Sequence, residues 1–203
     1  MEVLFATHNK SKLQLYRNML KEDGVKIVGL DELGIDYDVK EVGKNSKEIA
    51  IKKVKEYNKL SNYITISEDT GLYFDNIPDE KQPGVNVNTV NGKKLSEEER
   101  IEYYKSLISD YGGLLNGYWI KDIAIADNNG NIFTYKYKIK KIFTNKVHKL
   151  RNEGYPLDSI SITPEYNKYT VELTDEENMR LNESCNKEIH NFIVTTLNGL
   201  KKH

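Results

Sequence analysis

The chain has a single cysteine, Cys185, among its 203 residues, so no disulfide can form within it. No stretch approaches the roughly 20 apolar residues that a membrane-spanning helix needs. The first ten residues, MEVLFATHNK, lack the basic region and following apolar run that are typical of a secretory signal. We therefore expect a protein of the reducing cytoplasm that has no membrane partner.

An excess of charge of one sign is also missing. The 30 Lys and Arg residues nearly cancel the 31 Asp and Glu residues, which leaves a formal net charge of −1 at pH 7. Because nucleic-acid-binding proteins are typically basic on one face, we expect no nucleic-acid partner. A small phosphate ligand, held by a few lysines and a metal ion, remains compatible with this balance.

Proline and glycine are too thinly spread to mark a linker. The chain has 4 prolines and 13 glycines and contains no internal repeat. Its length fits one domain, or one domain with a small second lobe, and 38% hydrophobic residues are enough for a core. The prediction is a single domain over residues 1–203.

Apolar residues that recur every three or four positions predict helices. Leu13, Tyr16 and Met19 form such a series after a buried strand at residues 3–6. Three further helices are predicted to begin at polar N-cap residues, two of which have a Glu three positions later as in a capping box. These N-caps are Ser46, Ser96 and Thr174.

The strand pattern predicts a mixed α/β fold. Residues 118–127 and 132–143 flank the turn sequence Asn-Asn-Gly-Asn and predict a long antiparallel hairpin. We expect a curved mixed β-sheet with helices packed on it, in two lobes around a central cleft. The other predicted strands cover residues 25–30, 37–42, 63–67 and 72–74, with a turn at 68–71 between the last two, and a further short strand is predicted near Ile160.

Two polar segments are candidates for chemistry. Thr7-His8-Asn9-Lys10-Ser11-Lys12 lies between a strand and a helix, where free backbone N–H groups and lysines suit a phosphate. Glu68-Asp69-Thr70 follows an apolar strand, and adjacent carboxylates suit Mg²⁺. Each segment alone fits slightly better as an ordinary turn, and Glu41 alone fits better as a solvated residue.

Taken together and in order, these segments resemble the inosine triphosphatase (Ham1-like) family. The resemblance spans nearly the whole chain. Its elements are Thr7, Asn9 and Lys12; Glu41-Val42-Gly43; Lys53; Glu68-Asp69-Thr70-Gly71-Leu72; Gln82-Pro83-Gly84-Val85; and Gly154-Tyr155-Pro156-Leu157-Asp158.

The resemblance implies a homodimeric enzyme that uses Mg²⁺ to hydrolyse non-standard purine nucleoside triphosphates to the monophosphate and pyrophosphate. By position, Glu41 and Asp69 would hold the metal, and Asp69 would also take a proton from the attacking water. Lys12 and Lys53 would neutralise phosphate charge. The other implied substrate-binding residues are Thr7, His8, Asn9, Lys10, Ser11, Glu68, Thr70, Tyr155 and Asp158.

The last helix departs from the family pattern. A gapless placement puts Asn178 where the family has a Lys, and Asn182-Glu183-Ser184 where it has Ser-His-Arg. A Glu accepts a hydrogen bond from an amine, whereas His and Arg donate to a carbonyl. Asn178, Glu183 and Ser184 are therefore candidate base-reading residues with a shifted preference. A catalytically weak nucleotide-binding or sequestering protein is the alternative.

Overall fold

The computed structural model describes residues 1–40 and 43–201. Its strands are β1 (Glu2–Phe5), β2 (Lys26–Gly29), β3 (Thr65–Phe74), β4 (Thr89–Val90), β5 (Lys93–Lys94), β6 (Leu114–Ala126), β7 (Ile132–Thr144), β8 (Ser161–Thr163) and β9 (Lys168–Tyr169). Its α-helices are α1 (Lys10–Leu20), α2 (Ser46–Ser61), α3 (Glu97–Asp110) and α4 (Asp175–Leu200). None of these helices is long and apolar enough to cross a membrane.

The main sheet is mixed, as expected. Its seven strands are hydrogen-bonded in the order β2-β1-β3-β6-β7-β8-β9, and β4 and β5 form a separate pair. β1 runs parallel to both β2 and β3, whereas β7, β8 and β9 are antiparallel to one another in turn. The predicted hairpin is confirmed as β6 and β7, joined by a turn in which Gly130 has a positive φ of 84°.

The chain divides into two compact units, each with its own core. The first comprises residues 1–70, 121–137 and 182–203, and the second comprises 71–120 and 138–181. In the first unit, Phe5 and Tyr16 pack with Ile66, Ile123 and Ile189 among a larger set of buried residues.

The second unit has a core of aromatic and aliphatic side chains. Phe74, Tyr104, Ile108 and Phe143 are buried there, and the partly buried Trp119 packs against them. The ring of Phe74 meets that of Phe143 edge to face at 5.0 Å between centroids.

The predicted helix starts are largely confirmed. Ser96 and Glu99 form a capping box at α3, and Thr174 and Glu177 exchange the same pair of hydrogen bonds before α4. The predicted N-cap of α2 was one residue late: Asn45 caps the helix, and Ser46 is its first residue.

Two strand predictions were wrong. Residues 37–40 are not in a strand, and residues 41–42 lie outside the described part of the chain. The predicted turn at residues 68–71 does not exist, because β3 runs without interruption from Thr65 to Phe74. In a strand, successive side chains point to opposite faces, so this correction decides where Glu68 and Asp69 point.

Candidate active site

The segment after β1 is a tightly bonded turn into α1. The Asn9 backbone N–H donates to Thr7 Oγ1 at 3.1 Å, and the Asn9 side-chain Oδ1 accepts from the Lys12 backbone N–H at 3.0 Å. Asn9 is therefore the N-cap of α1. Its hydrogen bond satisfies one of the helix's N-terminal donors and fixes the direction in which the helix leaves the strand.

The start of α1 is suited to an anion. The backbone N–H groups of Lys10 and Ser11 have no acceptor within the helix, as at every helix start. The first turn carries no acidic residue, and Lys10 and Ser11 are exposed. His8 is also exposed, with its ring 3.8 Å from the Asp38 carboxylate. Free donors, the helix dipole and lysine side chains together favour a phosphate here.

The two acids of β3 pair with different helices. Asp69 Oδ2 accepts from Lys53 Nζ on α2 at 2.8 Å, and these two side chains are 13% and 15% exposed. Asp69 Oδ1 accepts from the Thr70 backbone N–H at 3.1 Å. Since each carboxylate oxygen can accept more than one hydrogen bond, Asp69 keeps acceptor capacity for a further ligand.

Glu68 points away from α2 and towards α1. Lys12 Nζ lies 3.2 Å from Glu68 Oε1, and the Tyr16 hydroxyl donates to Glu68 Oε2 at 2.7 Å. The Glu68 side chain is only 3% exposed, whereas that of Lys12 is 31% exposed. Lys12 therefore connects a buried carboxylate with the N-terminal end of α1.

The surroundings of Glu68 keep it ionised. Burial raises the pKa of Glu68, but the Lys12 and Lys121 ammonium groups and the Tyr16 hydrogen bond outweigh burial, so the pKa lies below its ordinary value. Burial and the same carboxylate hold the pKa of Tyr16 well above its usual range, so its hydroxyl stays a donor.

The carboxylate oxygens of Asp69 are suitable ligands for a hard divalent cation. Mg²⁺ in nucleotide sites takes one or two carboxylates and completes its shell with water and phosphate oxygens. Among residues 1–40 and 43–201, no group of three or more His, Cys, Asp or Glu side chains is arranged to hold a metal ion. Glu41, the second predicted metal ligand, lies outside the described residues.

Two predicted base-binding residues lie on one short segment of the second unit. Tyr155 is 70% exposed and precedes a 3₁₀ helix that contains Asp158. The Asp158 N–H donates to the Tyr155 carbonyl at 3.1 Å, and Asn152 Nδ2 donates to Asp158 Oδ2 at 2.9 Å. Burial raises the pKa of Asp158, against the opposing effects of the Asn152 hydrogen bond and the Lys141 charge.

The predicted base-reading residues of α4 belong to different units. Asn178 falls in the second unit, and its Nδ2 donates to the Leu173 carbonyl at 3.4 Å. Glu183 and Ser184 fall in the first unit and are exposed. Within the first unit, the structure thus brings Lys12, Glu68, Lys53 and Asp69 together around β3.

Sequence reasoning missed Tyr16 and Lys121 as members of this site. Tyr16 was read only as an apolar helix residue, although a buried tyrosine hydroxyl usually needs a partner. Lys121 carried a weaker signal, as a lone lysine directly before the buried run of β6.

The chain is similar in sequence to known proteins of one family. A sequence model of the Ham1 family matches residues 3–184. A dITP/XTP pyrophosphatase of Staphylococcus epidermidis is 26% identical over 185 residues, which cover 91% of each chain. A dITP/XTP pyrophosphatase of Clostridium perfringens is 27% identical over 184 residues, which cover 86% of this chain and 87% of the relative.

Solved structures show the same fold. The Ham1 protein of Staphylococcus aureus superposes with a TM-score of 0.79 at 20% identity, and a HAM1 protein of Coxiella burnetii superposes with a TM-score of 0.81 at 20% identity. Both comparisons cover 98% of this chain and 99% of the other. Since the family match covers most of its residues, the chain belongs to the Ham1 family.

Proposed function

We propose that this chain is a Mg²⁺-dependent nucleoside triphosphate pyrophosphohydrolase, which releases a nucleoside monophosphate and pyrophosphate. The observation that carries the proposal is the 2.8 Å contact between Lys53 Nζ and Asp69 Oδ2. It sets the Lys53 ammonium group of α2 beside the Asp69 carboxylate of β3, and the preceding residue of that strand, Glu68, contacts Lys12. Relatives named dITP/XTP pyrophosphatase support the same reaction.

The proposed chemistry needs charge neutralisation and an aligned water rather than a covalent intermediate. Glu41 and Asp69 would hold Mg²⁺, which when bound supplies positive charge next to the phosphate oxygens. The N-terminus of α1, with Thr7, Asn9 and Lys12, binds the phosphates. Lys53 adds a second cation and fixes the orientation of Asp69.

Asp69 is the proposed general base. A carboxylate held by Lys53 on one oxygen and by the Thr70 N–H on the other has a fixed direction. As water attacks and the bridging P–O bond breaks, the proton of the water passes to Asp69 and pyrophosphate leaves. A base must lie within hydrogen-bond reach of its proton, so a small displacement of Asp69 is costly.

The base of the nucleotide is proposed to stack on Tyr155, whose ring is largely exposed. Asp158, with Asn178, Glu183 and Ser184, completes the proposed base-reading set. Because Glu183 accepts where the family pattern donates, we propose a preference shifted towards an amino-bearing base. Sites built on hydrogen bonds discriminate strongly, since a mismatched group is left unpaired.

The remaining proposals concern the context of the protein. We propose that residues 1–203 fold as a single domain, that two chains form a homodimer, and that the protein acts in the cytoplasm on free nucleotides, with no nucleic-acid or membrane partner. A nucleotide-sequestering protein with little turnover is the second candidate. Asn178, which is partly buried, and Glu183, which is exposed, stand on α4 where the family pattern has basic residues, and this favours that candidate.

The test is pyrophosphate release with Mg²⁺ from a panel of triphosphates that contains ITP, dITP, XTP and the standard nucleotides. We expect release from one substrate class and a loss of at least about 100-fold in Asp69→Asn, as is typical when a general base is removed. Asp75→Asn is the matched control. Its carboxylate also accepts a hydrogen bond, from Tyr118 at 2.7 Å, and is not proposed to touch substrate.

Each outcome separates the candidates. Activity that survives in Asp69→Asn contradicts the general-base assignment. Tight binding of a triphosphate without release supports the sequestering protein instead. ITP turnover far above that of every other substrate excludes the proposed shift in base preference.

A further inference from the structure

Glu68 is too enclosed to act as a substrate or metal ligand. Both of its carboxylate oxygens are engaged, one with Lys12 and one with Tyr16, and its side chain is 3% exposed. Its neighbour Asp69 faces the other side of β3 and contacts Lys53. The two adjacent acids therefore have different roles, although they look alike in sequence.

We propose that Glu68 is a positioning residue that holds Lys12 for phosphate binding at the start of α1. The inference rests on the proposed function only in its choice of ligand, a polyphosphate. It assigns to Glu68 no contact with the substrate, the metal or the attacking water.

The geometry gives Lys12 a defined place. Its ammonium group lies 3.2 Å from Glu68 Oε1 and 3.5 Å from the Glu68 carbonyl oxygen. A lysine side chain that is held in advance loses less conformational entropy when a phosphate arrives. An ammonium group also has three donor hydrogens, so contact with Glu68 leaves donors for phosphate.

The position of Glu68 is in turn fixed by its hydrogen bond from Tyr16. Tyr16, which donates to Oε2, is fully buried and stacks on Phe5 with 4.0 Å between ring centroids. The Tyr16 ring cannot turn away without breaking this packing, so Glu68 has little freedom. The position of Lys12 is thus tied to the core of the first unit.

Lys121 keeps the cluster attractive to anions. Its charge acts on Glu68 from β6, together with that of Lys12. Lys12 and Lys121 carry two positive charges against the single negative charge of Glu68, so Glu68 neutralises only part of the positive charge.

The test is a double-mutant cycle on the binding of inorganic tripolyphosphate, measured by calorimetry with Mg²⁺ and with EDTA. The variants are Lys12→Met, Glu68→Gln and the double variant. We expect Lys12→Met to weaken binding at least about tenfold and Glu68→Gln at least about fivefold, as for charge-assisted hydrogen bonds. In the Lys12→Met background, Glu68→Gln should have no further effect.

Additive losses, an unchanged affinity in Glu68→Gln, or tighter binding would each overturn the proposal. A loss in Glu68→Gln that occurs only with Mg²⁺ would do so as well, because it would make Glu68 a metal ligand. Binding needs no turnover, so the test stands even if pyrophosphate release is never observed.

A milder variant guards against misfolding. Tyr16→Phe removes only the hydroxyl that fixes Glu68, and we expect a loss of affinity in the same direction that disappears in the Lys12→Met background. Glu188→Gln is the matched control, since Glu188 also accepts from a tyrosine of the first unit, Tyr135, at 2.6 Å. It should leave tripolyphosphate binding unchanged, and an equal loss there would contradict the proposal.

Discussion

A buried carboxylate is stable only where its charge is compensated, and Glu68 meets that condition through three groups. Lys12, Lys121 and the Tyr16 hydroxyl together lower its pKa against the effect of burial. Removing one member of such a set leaves the others buried without their partner, which costs more than the pair contributed. The free energy of unfolding should therefore depend on pH through Glu68.

Glu68→Gln tests this dependence. The pKa of Glu68 is lower in the folded than in the unfolded protein, so its contribution is complete above the unfolded pKa, about 4.3, and is lost as pH falls through the folded pKa. We expect Glu68→Gln to lower the free energy of unfolding by roughly 1–3 kcal/mol at pH 7. Urea unfolding at several pH values measures it.

The difference between wild type and Glu68→Gln should shrink as the pH falls below about 4. Glu99, whose pKa lies near 2 because of Lys93 and the Ser96 N–H, adds a separate acid-sensitive contribution in the second unit. It is present in both proteins and so cancels in the comparison. A difference that stays constant with pH would show that Glu68 is not ionised in the folded protein.

At the scale of elements, the sequence predicted correctly the features that depend on interactions between residues close together in the chain. The capping boxes at α3 and α4 and the hairpin turn before β7 depend on residues within a few positions of one another. Residues 37–40 contain an apolar alternation as well, but no strand forms there. A strand forms only where the segment can pair with a neighbouring strand, and the sequence of a short segment does not show whether such a partner is present.

The turn predicted in the middle of β3 failed for a similar reason. Two adjacent acids and Gly71 are typical of turns, yet here the glycine serves close packing within the strand. A Cβ at Gly71 would lie 2.8 Å from the Tyr73 ring and 3.1 Å from the Gly84 carbonyl oxygen. The nearby bridge between Leu72 and Gly84 uses this close approach. The sequence therefore placed Asp69 and Lys53 in one site only by resemblance, and it predicted neither their ion pair nor the Glu68 cluster.

Ser96→Ala tests how much one cap contributes. Ser96 Oγ accepts from the Glu99 N–H, and Glu99 accepts from the Ser96 N–H at 2.8 Å. We expect the variant to lose about 1 kcal/mol of stability, the usual cost of an N-cap serine. Thermal unfolding gives the value, and Ser96→Asn, which keeps a cap acceptor, should lose much less. Equal losses in both variants would show that the side-chain cap does not stabilise α3.

At the scale of the molecule, the chain has two cores, one in each unit. Three strands and α4 run from one unit into the other. β3, β6 and β7 each contribute residues to both units, as does α4. Covalent continuity through four elements favours cooperative unfolding, because melting such an element removes backbone hydrogen bonds in both units. The proposed single domain over residues 1–203 thus has a physical basis.

Two natural probes report the units separately. Trp119 lies in the second unit and is the only tryptophan, while Cys185 is the only cysteine and is buried in the first. We expect tryptophan fluorescence and cysteine labelling to give the same denaturant midpoint, as a single cooperative transition requires. Midpoints that differ by more than about 0.5 M urea, which is on the order of 1 kcal/mol, would indicate two domains.

Because Glu68 and Asp69 lie on opposite faces of β3, substitutions and one-residue insertions or deletions in this strand should have different effects. Many substitutions in a strand leave its other side chains on their faces. Insertion or deletion of one residue before Glu68 would instead turn every later side chain to the opposite face. Asp69 would then face Tyr16 and Glu68 would face Lys53, so a single insertion or deletion there would break both ion pairs at once.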